Sequence, residues 1–134
     1  MDDKITFDDL IKKEEEFSEE HEKLIAPVIK KFISIITPSG SIEFNNQFHQ
    51  LTGARKVVTY SLIKKGLFHR KLGNYKSESV KPNELSNRKD LKISLAVAKK
   101  VFNRELSKFF DKNKEGYFIP TYKINLAIEY LKDG

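Results

Sequence analysis

The sequence predicts a mainly α-helical domain that carries one small β-hairpin and is preceded by a long helical arm. Apolar residues recur at helical spacing through most of the chain, and Thr37-Pro-Ser-Gly-Ser41 interrupts them with a strong turn signal. Residues 79–122 then show a short helix, a turn, a second helix with a basic outer face and a hairpin pattern, in that order. We therefore expect an acidic helical arm over residues 1–38 and a folded domain over residues 40–134.

The charge of the chain is divided between an acidic start and a basic remainder. Residues 1–24 hold ten acids and four bases, a net charge of −6, and the other 110 residues hold 21 bases and nine acids, a net charge of +12. A basic surface attracts polyanions such as nucleic acids, because binding releases the counterions condensed on them. A Lys-rich composition also arises in AT-rich genomes, so the charge favours a nucleic-acid partner without establishing one.

Composition excludes several classes of site. The chain has no Cys, which rules out disulfides and thiolate metal sites, and its three histidines (His21, His49 and His69) are far apart in sequence. Gly-rich phosphate loops and paired catalytic carboxylates are also missing, so we expect no enzymatic activity, metal or cofactor. No apolar run reaches the roughly 18 residues of a membrane span. The acidic start is unlike a signal peptide, so we expect a cytoplasmic or nucleoid-associated protein that does not contact membranes.

The arm is predicted as a helix from Phe7 to about Thr37, with Thr6 as its N-cap and a kink near Ile25 where Pro27 removes a backbone donor. Its first half has an apolar stripe that is too thin to hold a lone helix in water. The stripe consists of Phe7, Leu10, Phe17 and Leu24. We expect it to pack on the body, on a second copy of the chain in a homodimer, or on another protein. An acidic face that is simply solvated is the plainer alternative.

Two helices are predicted between this turn and the basic segment. A short one covers Ile42–Leu51. A longer one runs from Gly53 to about Leu72, with Thr52 as its N-cap and Gly73 at its end. The longer helix carries six bases and no acid, which adds to the positive charge of the body.

The segment that follows contains the candidate reading helix. Pro82 opens a short helix at the position where its missing N–H costs nothing, and a second helix is predicted over residues 92–107. Advancing about 100° per residue places an apolar stripe on one side, made of Leu91, Leu95, Ala98, Phe102 and Leu106. The opposite side carries side chains that suit a DNA surface. These are Lys92, Lys99 and Lys100 for phosphates, with Asn103 and Arg104 for base edges.

A β-hairpin is predicted over about residues 109–119, where aromatic residues flank a turn that contains Gly116. Lys112 and Lys114 lie near its tip, where they would contact backbone phosphates. A last helix is expected over Lys123–Lys132. Because water alone also favours a charged outer helix face, the nucleic-acid interpretation depends on the combination of short helix, basic helix and hairpin.

In this order of elements the chain resembles the winged helix-turn-helix superfamily of DNA-binding proteins, over about Phe44 to Leu131. It is similar to small microbial winged-helix proteins whose hairpin ends in a Tyr-x-x-Pro segment before a final helix, here Tyr117-Phe-Ile-Pro120. Many members have Gly between the two helices, whereas this chain has Asn87-Arg-Lys-Asp90. The resemblance implies a second helix in the DNA major groove and a wing beside it. It also implies a transcription regulator or a replication or chromosome accessory factor.

Two functions stay open at this point. The first is binding of double-stranded DNA through the helix at residues 92–107 and the wing at residues 109–119. The second is a protein–protein interaction module, in which the acidic N-terminal helix docks onto a partner and the winged fold is a scaffold, as in a minority of the superfamily. An acidic arm that folds over the basic surface and competes with DNA would combine the two.

Overall fold

The computed structural model describes residues 17–132, which combine helices with two small antiparallel hairpins. The helices are α1 (Glu19–Ile29), α2 (Asn46–His49), α3 (Gly53–His69), α4 (Pro82–Asn87), α5 (Leu95–Asn103) and α6 (Ile124–Lys132). The strands are β1 (Ile33–Ile36), β2 (Ile42–Phe44), β3 (Asp111–Asn113) and β4 (Gly116–Phe118), and a 3₁₀ turn over Thr121–Lys123 leads into α6. The predicted N-cap Thr6 and the apolar residues Phe7 and Leu10 lie outside the described residues.

The central element is α3, which packs against α1, α5 and α6. As predicted, it begins after Thr52, whose Oγ1 accepts a hydrogen bond from the Arg55 N–H at 3.3 Å. It ends at His69, slightly before the predicted end at Leu72. Apolar side chains from three neighbouring turns of α3 are buried, among them Val57, Val58, Leu62 and Ile63. A helix buried over so much of its circumference forms the middle of the core and positions the elements around it.

Helices α1 and α6 contribute to the same core. Ile25, Val28 and Ile29 are buried on α1, and Ile124, Ala127, Ile128 and Leu131 are buried on α6. The predicted last helix is therefore confirmed, starting one residue later than expected. The second half of α1 packs on the body, because its apolar face meets both α3 and α6.

The predicted arm helix is wrong beyond Ile29, and the predicted helix over Ile42–Leu51 is wrong in its first part. Residues 33–36 form β1 and pair antiparallel with β2, with Ile36 opposite Ile42, and the chain reverses at the predicted turn over residues 37–41. Isoleucines dominate β1, and β-branched side chains fit a strand better than a helix. Their spacing imitates a helical stripe, so the pairing partner across the turn decides between the two.

The proline for which a kink was predicted near Ile25 lies inside α1 and does not end it. The helix continues through it, and the Lys30 N–H still donates to the Ala26 carbonyl oxygen at 3.0 Å. Because α1 ends two residues after Pro27, the proline removes one hydrogen bond close to a helix end, and the loss is local.

The second hairpin is extended by one residue from another part of the chain. The Val80 N–H donates to the Tyr117 carbonyl at 2.7 Å, and the Tyr117 N–H donates to the Val80 carbonyl at 2.8 Å. Gly116 makes this approach possible, since its φ is +131° and a Cβ there would lie 2.6 Å from the Val80 carbonyl oxygen. The segment before α4 is thereby tied to β4.

Buried ion pairs attach the segment 78–84 to α3. The Lys64 ammonium group donates to both carboxylate oxygens of Glu84 at 3.0 Å and to the Ser79 carbonyl oxygen, and the Tyr60 hydroxyl donates to Glu84 at 2.7 Å. The next residue of α3, Lys65, pairs with Glu78. Burial, reinforced by Glu84, raises the pKa of Tyr60 above its ordinary value. These contacts hold the start of α4 against the middle of α3.

We expect Glu84→Gln to lower the free energy of unfolding by about 3 kcal/mol, because it leaves the buried Lys64 ammonium group without a counter-charge. This is the low end of the range for breaking a buried ion pair, since the Glu84 side chain is 31% exposed. Urea denaturation measures the loss. The matched control is Glu43→Gln, which neutralises an exposed carboxylate on β2 and should change stability little.

A double variant tests the cause. Lys64→Met with Glu84→Gln removes both charges and should recover most of the stability lost in Glu84→Gln alone. A double variant less stable than the single one would contradict the role given to the unpaired ammonium group.

Candidate nucleic-acid interface

The candidate reading helix is shorter than predicted at both ends. It covers residues 95–103, not 92–107. At its start, Lys92 has φ +57°, which an α-helix cannot accommodate, and the Ser94 hydroxyl caps α5 by accepting from the Val97 N–H at 3.2 Å. At its end, Arg104 leaves the helical region with φ −125° and ψ −83°. Lys92 and Arg104 therefore flank the helix instead of lying within it.

One side of α5 is buried and the other is open to solvent. Ala98, Val101 and Phe102 are buried against the core. Leu95 was predicted to lie in the core stripe, and this is wrong: its side chain is 37% exposed, and that of Val97 is 39% exposed. The buried side of α5 begins at Ala98 and continues one turn later with Val101 and Phe102. Leu95, in the first turn of the helix, lies at the edge of that side.

All seven residues predicted to contact nucleic acid are exposed. Three of them share the outer side of α5, two flank the helix and two lie on the second hairpin. They are Lys99, Lys100 and Asn103 on α5, Lys92 and Arg104 beside it, and Lys112 and Lys114 on the hairpin. The structure thus brings three of the predicted residues onto one helical surface and leaves the others around it.

The predicted hairpin is confirmed, and its turn holds Lys114. Strands β3 and β4 pair with Asp111 opposite Phe118 and Asn113 opposite Gly116. The Asn113 side chain closes the turn by accepting from the Glu115 N–H at 2.8 Å. It also accepts from the Ser79 hydroxyl at 3.1 Å, which fixes the hairpin tip to the segment before α4.

A stack of aromatic rings connects the hairpin with α5. The rings of Phe102 and Tyr117 lie 4.1 Å apart between centroids and are parallel within 5°. The ring of Phe110 also contacts that of Phe102, edge-on, with 5.1 Å between the ring centroids. The Lys112 ammonium group lies 5.2 Å from the Tyr117 ring centre. Through these contacts the hairpin holds a fixed position relative to α5, and Lys112 is held beside it.

The connection between α4 and α5 is built around Arg88. Its guanidinium group donates to both carboxylate oxygens of Asp90, at 2.7 and 3.1 Å, and lies 5.3 Å from the Tyr60 ring centre. The hydrogen bonds from Arg88 lower the pKa of Asp90, and the same pair raises the pKa of Arg88. A charged residue thus holds the turn between α4 and α5 against Tyr60 of α3.

A buried lysine holds the far end of the same connection. The Lys56 ammonium group donates to the Leu91 carbonyl oxygen at 3.1 Å. Burial, and secondarily the charge of Lys92, lowers the pKa of Lys56. No role was assigned to Lys56 or Arg88 from the sequence. Arg88 and Asp90 are close enough in sequence to indicate an ion pair. No residue near Lys56 in sequence identifies the Leu91 carbonyl oxygen as its partner.

The predicted partner-contact stripe is described only in its second half. Phe17 stacks on His69 of its own chain, at 4.9 Å between ring centroids. Leu24 is 45% exposed. Phe7 and Leu10 lie outside the described residues, so a homodimer or partner contact through this stripe stays a prediction.

Within residues 17–132, no group of three or more His, Asp or Glu side chains is arranged to hold a metal ion. The same part of the chain has no helix that is both long and apolar enough to cross a membrane. Comparison with known proteins found no matching family model, no matching curated protein and no matching solved structure.

We expect Tyr117→Ala to loosen the second hairpin, because it removes the ring that stacks on Phe102. Hydrogen exchange at the amides of residues 80 and 117, which donate to each other's carbonyl oxygens, should reveal a free energy of local opening that is lower by about 1–2 kcal/mol. Tyr117→Phe keeps the ring and is the matched control, with exchange close to that of the unchanged protein. Unaltered exchange in Tyr117→Ala would contradict a coupling through this stack.

Proposed function

We propose that the protein binds double-stranded DNA as a winged helix-turn-helix protein, with α5 in the major groove and the β3–β4 hairpin as the wing. A transcription regulator or a replication or chromosome accessory factor is the corresponding class of protein. The observation that carries the proposal is the open side of α5, where Lys99, Lys100 and Asn103 are all exposed beside a hairpin stacked on the same helix.

The dimensions of α5 support the proposal. Nine residues make a helix about 14 Å long, and an α-helix with its side chains is about 10–12 Å across, which is the width of the B-DNA major groove. Its outer side is free of acidic residues, since the acid nearest in sequence, Glu105, follows the helix and accepts from the Tyr130 hydroxyl at 2.8 Å. A phosphate backbone that approaches the outer side of α5 would therefore meet the cations Lys99 and Lys100 and no carboxylate of the helix itself.

The side chains also divide by chemistry. Lys99 and Lys100 carry point charges that suit phosphates, while Asn103 can donate and accept toward the edge of an adenine. Arg104 and Lys92 extend the cationic surface past the two ends of α5. Lys112 and Lys114 place two further ammonium groups on the wing, where a wing beside the groove would meet the sugar–phosphate backbone.

The charge dependence of binding tests the proposal. We expect the affinity of the unchanged protein for duplex DNA to fall steeply as salt rises, and Lys100→Glu with Arg104→Glu to remove most binding at every salt concentration. Gel-shift titrations at several salt concentrations measure both. Affinity that does not change with salt, or that survives the double substitution, would rule the proposal out.

A matched control separates the site from the overall charge. Lys23→Glu with Lys71→Glu changes the net charge by the same amount at two exposed positions. Both lie near the end of α3 that is opposite Gly53, about 25 Å along the helix. This control should weaken binding far less than the change at residues 100 and 104.

The amide of Asn103 should contribute to sequence preference more than to affinity. We expect Asn103→Ala to reduce discrimination at one base pair by about 1–3 kcal/mol and to leave the salt dependence unchanged, because no charge is removed. Sequences selected from a random duplex pool by each protein measure the effect. Asn125→Ala, at an exposed asparagine on α6, is the control. Identical preferences for all three proteins would show that Asn103 does not read bases.

A further inference from the structure

An open pocket of about 560 Å³ lies at the start of α3. It is formed where the segment after α1, the residues in and after helix α2 and the end of α6 meet the N-cap of α3. The polar residues that line it are Lys31, Gln47, Gln50, Thr52, Arg55 and Lys132. Three cations and two amides thus face one cavity, and none of its lining residues is acidic.

The start of α3 adds to this positive potential. The first N–H groups of a helix have no partners within the helix, and the helix dipole places a partial positive charge there. Of these groups, the Arg55 N–H is used by Thr52, and the first turn of α3 carries no acidic residue. An anion in the pocket would therefore meet backbone donors as well as cationic side chains.

Arg55 differs from the other bases in and directly after α3 in what surrounds it. Lys64, Lys65 and Arg70 each pair with a glutamate and Lys56 donates to a carbonyl oxygen, whereas the Arg55 guanidinium group lies 4.6 Å over the Tyr130 ring. Its Nε is buried and has no hydrogen-bond partner among the described residues. The stack holds the guanidinium group without neutralising its charge, at a residue that lines the pocket.

We propose that this pocket binds a phosphate group. The geometry favours a phosphodiester of the DNA backbone, a step that rests on the proposed function, because Gly53 contacts α5 and lies between the lining residues Thr52 and Arg55. Gly53 packs directly on that helix: a Cβ on Gly53 would lie 2.7 Å from a Val97 methyl carbon. A duplex seated on α5 would then extend its contact past the α3 N-terminus to Lys31 and Lys132, which lie outside the helix-turn-helix segment.

The first experiment measures DNA affinity against salt for Lys31→Gln with Lys132→Gln. Both side chains are exposed, so the protein should keep its thermal midpoint. If they neutralise two phosphates, the slope of log affinity against log salt should become smaller by about two. The affinity loss between 50 and 200 mM salt would then be roughly tenfold smaller than for the unchanged protein. Lys23→Gln with Lys71→Gln, which lie far from the pocket, should leave the slope unchanged.

The second experiment uses inorganic phosphate alone and follows the amide resonances of Gly53, Ala54 and Arg55. Saturable shifts in the unchanged protein, lost in Lys31→Gln with Lys132→Gln, would establish a site for free phosphate. A reduced salt slope without such shifts would assign the pocket to the DNA backbone. An unchanged slope together with no phosphate-dependent shift overturns the proposal.

These outcomes separate the pocket from the proposed function. If Lys100→Glu with Arg104→Glu abolishes DNA binding while the pocket variant keeps the full slope and phosphate produces no shift, the pocket proposal falls and DNA binding stands. If the unchanged protein binds no DNA at any salt concentration, the proposed function falls, and the phosphate titration alone decides whether the pocket is an anion site.

Discussion

The pairing of Lys64 with Glu84 inside the body is the interaction on which the arrangement of the candidate interface depends. It joins the middle of α3 to the first turn of α4, and Tyr60 completes the hydrogen bonding of the carboxylate. An ammonium group that is almost fully buried is tolerated only with such partners. Because α4 is short and has Leu85 as its buried anchor, its orientation on α3 is set largely by this pair. The direction in which the chain enters α5 follows from that orientation.

The same interactions redistribute the positive charge of the chain. The sequence predicts a helix over residues 53–72 with six bases and no acid, yet Lys64, Lys65 and Arg70 are paired with glutamates, and Lys56 donates to a carbonyl oxygen. The glutamates compensate the charges of Lys64, Lys65 and Arg70, so these three residues attract a polyanion only weakly. Exposed lysines that pair with no carboxylate of residues 17–132 lie on α5, on the β3–β4 hairpin and around the pocket at the α3 N-terminus, and also elsewhere, as at Lys30, Lys71 and Lys89. The pairing pattern therefore removes the paired lysines of α3 from the available positive charge, but it does not by itself define one surface.

Local signals in the sequence were sufficient for elements whose ends depend on nearby residues. The Thr52 cap, Pro82 at the start of α4 and the turn before Gly116 each act within a few residues, and the structure has all three. The failures involve distant partners. Ile33–Ile36 became a strand because residues 42–44 pair with it, and α5 lost its first turn where Lys56, 35 positions away from Leu91, binds that backbone. The glutamate partners of Lys64 and Lys65 could not be predicted from the sequence either, because its pattern is equally compatible with both lysines being exposed to solvent.

The stack of Phe102 on Tyr117 explains how a helix of nine residues can belong to a larger contact surface. An exposed helix this short offers two and a half turns, and only one side of it faces outward. The stack joins its buried side to β4, β4 is bonded to Val80, and Val80 leads directly into α4. The β3–β4 hairpin, α4 and α5 therefore form a closed set of contacts around one aromatic pair. The Lys112 ammonium group lies 5.2 Å from the Tyr117 ring centre, so the backbone that carries it is joined to α5 through the stack. A backbone held in this way has little conformational entropy left to lose in a contact, whereas the exposed side chains of Lys99, Lys100 and Lys112 still have theirs to lose.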